Sequence, residues 1–178
     1  RIIRDAGTPD SSWLPWLAAQ PIRPASMADL CPDTARLVVV APHPDDEVLA
    51  CGGLLAHRAA LGLQSIIVAV TDGEASHGTG DTLSCARLAA RRAEESGAGL
   101  RSLGLSPSSV IRLCMPDGGV AGLTASLAQK LRPLLKASDV VVTTWQRDGH
   151  PDHEATSQAT AAVCAQLGCR LLQAPVWM

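Results

Sequence analysis

Short apolar runs alternate along the chain with longer stretches of mixed polarity, and the alternation predicts the architecture. The first run, Leu37-Val38-Val39-Val40, is β-branched and stops at Pro42, as a buried strand over residues 36–41 would. Similar runs over 65–70, 110–114, 139–144 and 170–174 predict four more strands. Between them the pattern turns helical. Val48, Leu49, Leu54, Leu55 and Ala59 follow Asp45-Asp46-Glu47, whose carboxylates suit a helix N-terminus, and run to Gly62 as a stop. Residues 83–103 interleave alanines and leucines with Arg87, Arg91, Arg92, Glu94 and Glu95, and further helices are predicted over 124–136 and 151–166, the last closed by Gly168. Strands alternating with helices imply an α/β fold: a single doubly wound domain with a mostly parallel sheet and helices on both faces.

Each strand should deliver a polar turn to the sheet's C-terminal edge, where open α/β sheets place ligands. The turns at Thr71-Asp72-Gly73-Glu74 and Pro116-Asp117-Gly118-Gly119 fit that pattern, and the loop over 75–82 suits either a lid or a plain connection. His77 in that loop is the one other histidine within reach of the edge, although a solvated loop histidine is the plainer reading. His57 lies too far along its helix from His43 to join it and reads as a surface or core residue. Gly52 and Gly53 each weaken an isolated helix by about 1 kcal/mol, which suggests close approach to the sheet.

The proline-rich lead-in, residues 1–35, carries Pro9, Pro15, Pro21, Pro24 and Pro32, so no helix longer than a short turn is expected there. Trp13 and Trp16 are expected to pin it to the body, with a partner-docking surface as the other reading. Residues 36–178 are expected to form the main domain, and because the sequence stops at Met178 soon after strand 5, its C-terminal end is expected to be incomplete. The chain starts at Arg1 rather than Met, which leaves room for a leader or an upstream domain.

Composition narrows the function. A chain of 178 residues, 47% hydrophobic, suffices for one full core. A net charge of -2 lacks the basic footprint of nucleic-acid binding. No apolar run approaches the roughly 20 residues of a membrane span, so a cytoplasmic location is expected. Six cysteines without a CxxC pair read as buried reduced thiols. There is no Tyr or Phe, and a core of Leu, Val, Ile and Ala follows.

Two clusters carry chemistry. Ala41-Pro42-His43-Pro44-Asp45-Asp46-Glu47 follows the first strand, and Gly149-His150-Pro151-Asp152-His153-Glu154 follows the fourth. Imidazole and carboxylate donors suit zinc, which takes three protein ligands in a catalytic site. His43 and Asp46 converge if the residues between them turn, and one of His150 and His153, spaced i to i+3 at a helix start, supplies the third ligand. Asp45 is then free to act as general base, and the spare histidine can stabilise an oxyanion or protonate a leaving amine, with Asp152 holding its tautomer. A rival reading takes Asp45, Asp46 and Glu47 as an oxygen-only Mg²⁺ site for phosphate chemistry, which leaves three histidines unexplained. No phosphate loop, dinucleotide fingerprint or serine-nucleophile elbow is present.

The two clusters, in this order and spacing, closely resemble the paired motifs of the PIG-L/LmbE family of zinc-dependent N-acetylglucosaminyl deacetylases, from about residue 36 to the end. The resemblance implies a Rossmann-like fold and removal of an N-acetyl group from an N-acetylglucosaminyl conjugate, a small-molecule partner. It implies His43, Asp46 and His153 as zinc ligands, Asp45 as general base, His150 as electrostatic or general-acid residue and Asp152 as its partner. Arg92, on a helix like the family's Arg/Glu helix, and Asp117 fall where members contact substrate; a surface ion pair and a turn former are the plainer readings. Some members carry a tyrosine where this chain has Asp148, and the pocket-closing region that often follows strand 5 is not in this sequence. A homo-oligomer, a fusion to another domain and a non-catalytic sugar-binding module remain open.

Overall fold

The computed structural model describes residues 9–76 and 82–177, so His77 and most of its loop lie outside the described residues. Alternation within the central strand β1 (Leu37–Ala41) divides the core in two. Val38 and Val40 face one cluster with Val68, Val70, Val141, Leu127, Leu131, Ala159 and Val163. Leu37 and Val39 face the other with Ile67, Val140, Val142, Leu54, Leu55 and Leu100. A strand buried on both faces explains why the run is continuously apolar.

The remaining strands are β2 (Ser65–Thr71), β3 (Val110–Met115), β4 (Val140–Thr144) and β5 (Arg170–Ala174). All pair in parallel, in the order β3-β2-β1-β4-β5. The chain winds outward from β1 to β3, then crosses back to β4 on the other side of β1. The crevice between the C-terminal ends of β1 and β4 is therefore the topological switch point. Val40 pairs with Val68 on one side and Thr143 on the other, so both predicted clusters leave the sheet at the same level.

Helices α3 (Asp46–Ala60) and α4 (Thr82–Ser102) cover one face, while α5 (Thr124–Leu131) and α6 (Pro151–Leu167) cover the other. The α6 helix ends on Gly168, left-handed at φ 79°, whose N–H returns to the Cys164 carbonyl. No helix among the described residues is long and apolar enough to cross a membrane.

Several expectations are corrected. The lead-in holds a ten-residue helix, α1 (Asp10–Ala19), with Pro15 inside it, followed by a single turn, α2 (Met27–Leu30). A proline removes one backbone donor yet has a helix-compatible φ, so it weakens a helix without forbidding it. Trp13 and Trp16 do not pin α1, which buries no residue; the indoles pack edge to face with centroids 5.5 Å apart. What ties the lead-in down is buried Arg58, which donates to the carbonyls of Ala35, Cys31 and Pro32. The α5 helix stops at Leu131 rather than 136: Arg132 still has helical φ and ψ and donates to the Ala128 carbonyl, but Pro133 has no N–H to carry the ladder further. Gly52 packs toward Val48 and Leu103 rather than the sheet, Gly53 faces open space, and α3 kinks at Cys51 (φ −150°). The cysteines form no disulfide among the described residues, in keeping with reduced thiols, but only Cys31 and Cys164 are buried and Cys114 is exposed. His57 is a surface residue.

Candidate metal centre and active site

The turn between β1 and α3 is built under tension. Asp45 has φ 133° and ψ −28°, a left-handed geometry that an L side chain avoids. Its neighbours hold it there. The Asp45 N–H donates to Glu47 Oε2 at 3.0 Å, and the Ser96 hydroxyl donates to Glu47 Oε1 at 2.8 Å, which fixes that buried carboxylate. Arg92 Nη2 donates to the Pro44 carbonyl at 2.7 Å and to Asp45 Oδ2 at 3.1 Å. Room for Arg92 depends on Gly73, where a Cβ would lie 2.9 Å from Arg92 Nε. The His43 N–H donates to Asp46 Oδ2 at 2.9 Å, turning that carboxylate back over the loop.

At the opposite wall of the crevice, His150 caps α6. Its Nδ1 accepts from the Asp152 N–H at 3.2 Å, with Pro151 at the first helical position. One turn in, the His153 carbonyl accepts from Thr144 Oγ1 at 3.0 Å, which ties the helix start to β4.

Three donor atoms from the two walls meet. His43 Nδ1 lies 3.1 Å from His153 Nε2, and Asp46 Oδ2 lies 3.3 Å from each. Tetrahedral zinc with bonds near 2.0–2.1 Å separates its ligand atoms by about 3.3 Å, which this triangle matches on every edge. Two imidazole nitrogens facing each other share at most one proton, so the donor set suits a cation at its centre. Two looser groupings, His43-His150-His153 and His43-Asp117-Asp152, bring ligand atoms within 4.8 Å of one another. The second uses the outer His43 nitrogen, Nε2, which lies 3.2 Å from Asp117 Oδ1 and 3.4 Å from Asp152 Oδ2.

Charge shapes the proton affinities. Burial disfavours the His43 imidazolium, but Asp117, Asp152 and Asp46 outweigh it and push the ring up to about 11. Burial also disfavours ionised Asp46, yet His153 and His43 hold its carboxyl well below the usual range. His153 is likewise opposed by burial and raised by Asp46 and Asp148. His150 is lowered by burial and by the neighbouring His43 and His153. Asp45 is raised by burial and by Asp46, partly offset by Arg92.

All the sequence-selected residues converge on the crevice, with one pairing corrected. The Asp152 carboxylate does not hold His150; it accepts from the Gly118 N–H at 2.7 Å and the Val120 N–H at 3.0 Å and reaches toward His43. At a helix start, residues i and i+2 project to different sides, so the two side chains diverge. Asp117 joins the centre through His43, and its other oxygen accepts from the Ala75 N–H at 2.9 Å. Asp45, Asp46 and Glu47 engage separate partners, Arg92, the two imidazoles and Ser96, which does not make the oxygen-only site of the Mg²⁺ reading. Two contributors were not selected from the sequence. Asp148 pairs with His153 Nδ1 at 2.6 Å, and Trp177 sets its ring edge to face with His150 at 4.8 Å. Beyond Asp45 opens a cavity of about 630 Å³, lined by Pro44, Ser76, Leu88, Arg92 and Ser96 among others.

Comparison with known proteins bears on this geometry. The 1D-myo-inositol 2-acetamido-2-deoxy-alpha-D-glucopyranoside deacetylase of Mycolicibacterium vanbaalenii is 34% identical over 166 residues, covering 75% of this chain and 56% of that protein. The chain thus spans little more than half the length of such relatives. The crystal structure of the conserved protein TT1542 from Thermus thermophilus matches with 38% identity and a TM-score of 0.57, over 78% of this chain and 60% of that one. The N,N'-diacetylchitobiose deacetylase of Pyrococcus horikoshii shares the fold, with a TM-score of 0.63 at 24% identity over 92% of this chain and 61% of that one. A family model described as GlcNAc-PI de-N-acetylase matches residues 38–164, a span that holds both clusters, and the chain belongs to that family, PIG-L.

Proposed function

We propose that the chain is a zinc-dependent N-deacetylase, hydrolysing the acetamide of an N-acetylglucosaminyl conjugate to acetate and a free amine. The observation that carries this reading is the triangle of His43 Nδ1, Asp46 Oδ2 and His153 Nε2, with edges of 3.1–3.3 Å, beside a strained carboxylate that stays out of it. Membership of the PIG-L family and the deacetylase named among its relatives support it. His43, Asp46 and His153 would hold the zinc, which when bound lowers the pKa of water toward about 7 and polarises a carbonyl.

The chain's own residues supply the rest. Asp45, whose carboxyl is raised toward the proton it must accept, takes that proton from the attacking water. Arg92 holds its orientation through the 3.1 Å pair. His150, with Nδ1 accepting from Asp152 N, carries its proton on Nε2 when neutral, and that N–H stabilises the developing oxyanion by hydrogen bonding, while the proton taken up by Asp45 passes to the departing amine. Removing such a donor costs about 3 kcal/mol of transition-state stabilisation, a 10²- to 10³-fold loss in kcat.

Metal analysis together with a free-amine assay on N-acetylglucosaminides tests this reading. Asp45→Ala should retain zinc and lose activity by at least about 10²-fold, whereas His153→Ala should lose the zinc. Zinc bound undiminished by His153→Ala, or full turnover in Asp45→Ala, would overturn the assignment.

A further inference from the structure

Asp148 is one of the most completely enclosed carboxylates in the molecule and has no part in the reaction as derived above. It lies in the turn after β4, with the side chain 0% exposed. Both oxygens are used. Oδ2 pairs with His153 Nδ1 at 2.6 Å, while Oδ1 accepts from the Val176 N–H at 2.8 Å and the Trp177 N–H at 3.0 Å. Three donors converge on one side chain, and among side chains of this size only a carboxylate accepts at both ends.

We propose that Asp148 is a positioning residue that joins two things: the presentation of His153 Nε2 to the metal and the closure of the chain after β5 over His150. An acceptor at Nδ1 fixes the ring proton there and leaves Nε2 bare toward His43 Nδ1 and Asp46 Oδ2. The same carboxylate seats Val176 and Trp177, so the indole lies 4.8 Å from the His150 ring and 6.1 Å from the His153 ring. With 38% of its surface exposed, Trp177 forms a rim of the site rather than part of the core. A metal that immobilises His153 therefore also immobilises Asp148 and the strand exit bonded to it. Zinc loading and Trp177 closure are one coupled event. An amide at position 148 breaks this, because whichever way it turns, its NH₂ meets an N–H on one side.

The inference rests on the metal reading of His43, Asp46 and His153, and the tests separate the two. Zinc affinity of the apoprotein is measured by chelator competition. Asp148→Asn should weaken it roughly 10- to 100-fold, and Asp148→Glu, which keeps two acceptors, should recover most of the loss. Substituted Co²⁺ should give a shifted d–d spectrum in Asp148→Asn. Hydrogen exchange at the Val176 and Trp177 amides of the unmutated protein gives a second readout that needs no variant to fold, and protection there should rise when zinc is added. Asn-variant affinity within about threefold of the unmutated chain, or exchange at those amides indifferent to zinc, overturns the inference while leaving the deacetylase reading intact. Failure of the unmutated chain to bind stoichiometric zinc overturns both.

Discussion

Asp45 occupies a backbone conformation that costs the fold stability, and its surroundings suggest what the cost sustains. A non-glycine residue at φ 133° carries of order 1–3 kcal/mol of strain. Its pair with Arg92 returns little, since the Asp45 side chain is 58% exposed. Asp45→Gly should therefore stabilise the protein by about 1 kcal/mol net of glycine's greater unfolded-state entropy, while abolishing the proposed deacetylation. The gain has a definite pH dependence. The Asp45 carboxyl titrates higher in the fold than in the unfolded chain, so its charge costs stability above the folded value and costs nothing below the unfolded one. Denaturation at pH 7 should show a larger difference between Asp45→Gly and the unmutated chain than denaturation near pH 3; a smaller difference at pH 7 would contradict the sign. At this scale the sequence was informative wherever neighbours in the chain are also neighbours in space. His43, Asp46 and their turn were legible for that reason. Asp148 was not, because its importance depends on Val176 returning to it from the far side of β5.

Elements were legible where hydrophobic period decided them and less so where a single residue did. Four strands follow from runs containing β-branched residues, and β5, a leucine pair without any, still matches its expected bounds. Pro133 shortens α5 and Pro15 fails to break α1, because proline's effect depends on where in a helix the missing donor falls. The start of α6 combines both kinds of information. His150 was legible as chemistry, yet the structure also makes it the N-cap, through Nδ1 and the Asp152 N–H. These two roles separate by substitution. His150→Ala should lose activity and also about 1 kcal/mol of stability, the usual cost of deleting a cap. His150→Asn restores an acceptor for the helix start and should recover the stability without recovering turnover. Thermal denaturation and the amine assay, run on both variants, read the two roles independently, and equal stability of the Ala and Asn variants would remove the capping role.

The whole molecule explains why two sequence clusters a hundred residues apart make one centre. Because the chain reverses direction across β1, the loops after β1 and β4 flank a single crevice, and each wall belongs to a different half of the winding. His43 and Asp46 extend from the β1–α3 half, and His153 from the β4–α6 half. An ion held by these three groups, as proposed, would bridge both halves and bind only when the sheet is assembled, so its binding energy would add to global stability rather than to one loop. At free zinc 100 times its dissociation constant the gain is about 2.7 kcal/mol, which for a chain of this length raises Tm by roughly 5–10 °C. Chelator-treated protein should show the lower transition and regain the upper one on zinc addition. Replacing either His43 or His153 by Ala should abolish the shift entirely, since a ligand lost from one wall leaves nothing to span the crevice. A zinc-dependent shift that survived in one of those variants would locate the ion on a single half and refute the bridging geometry.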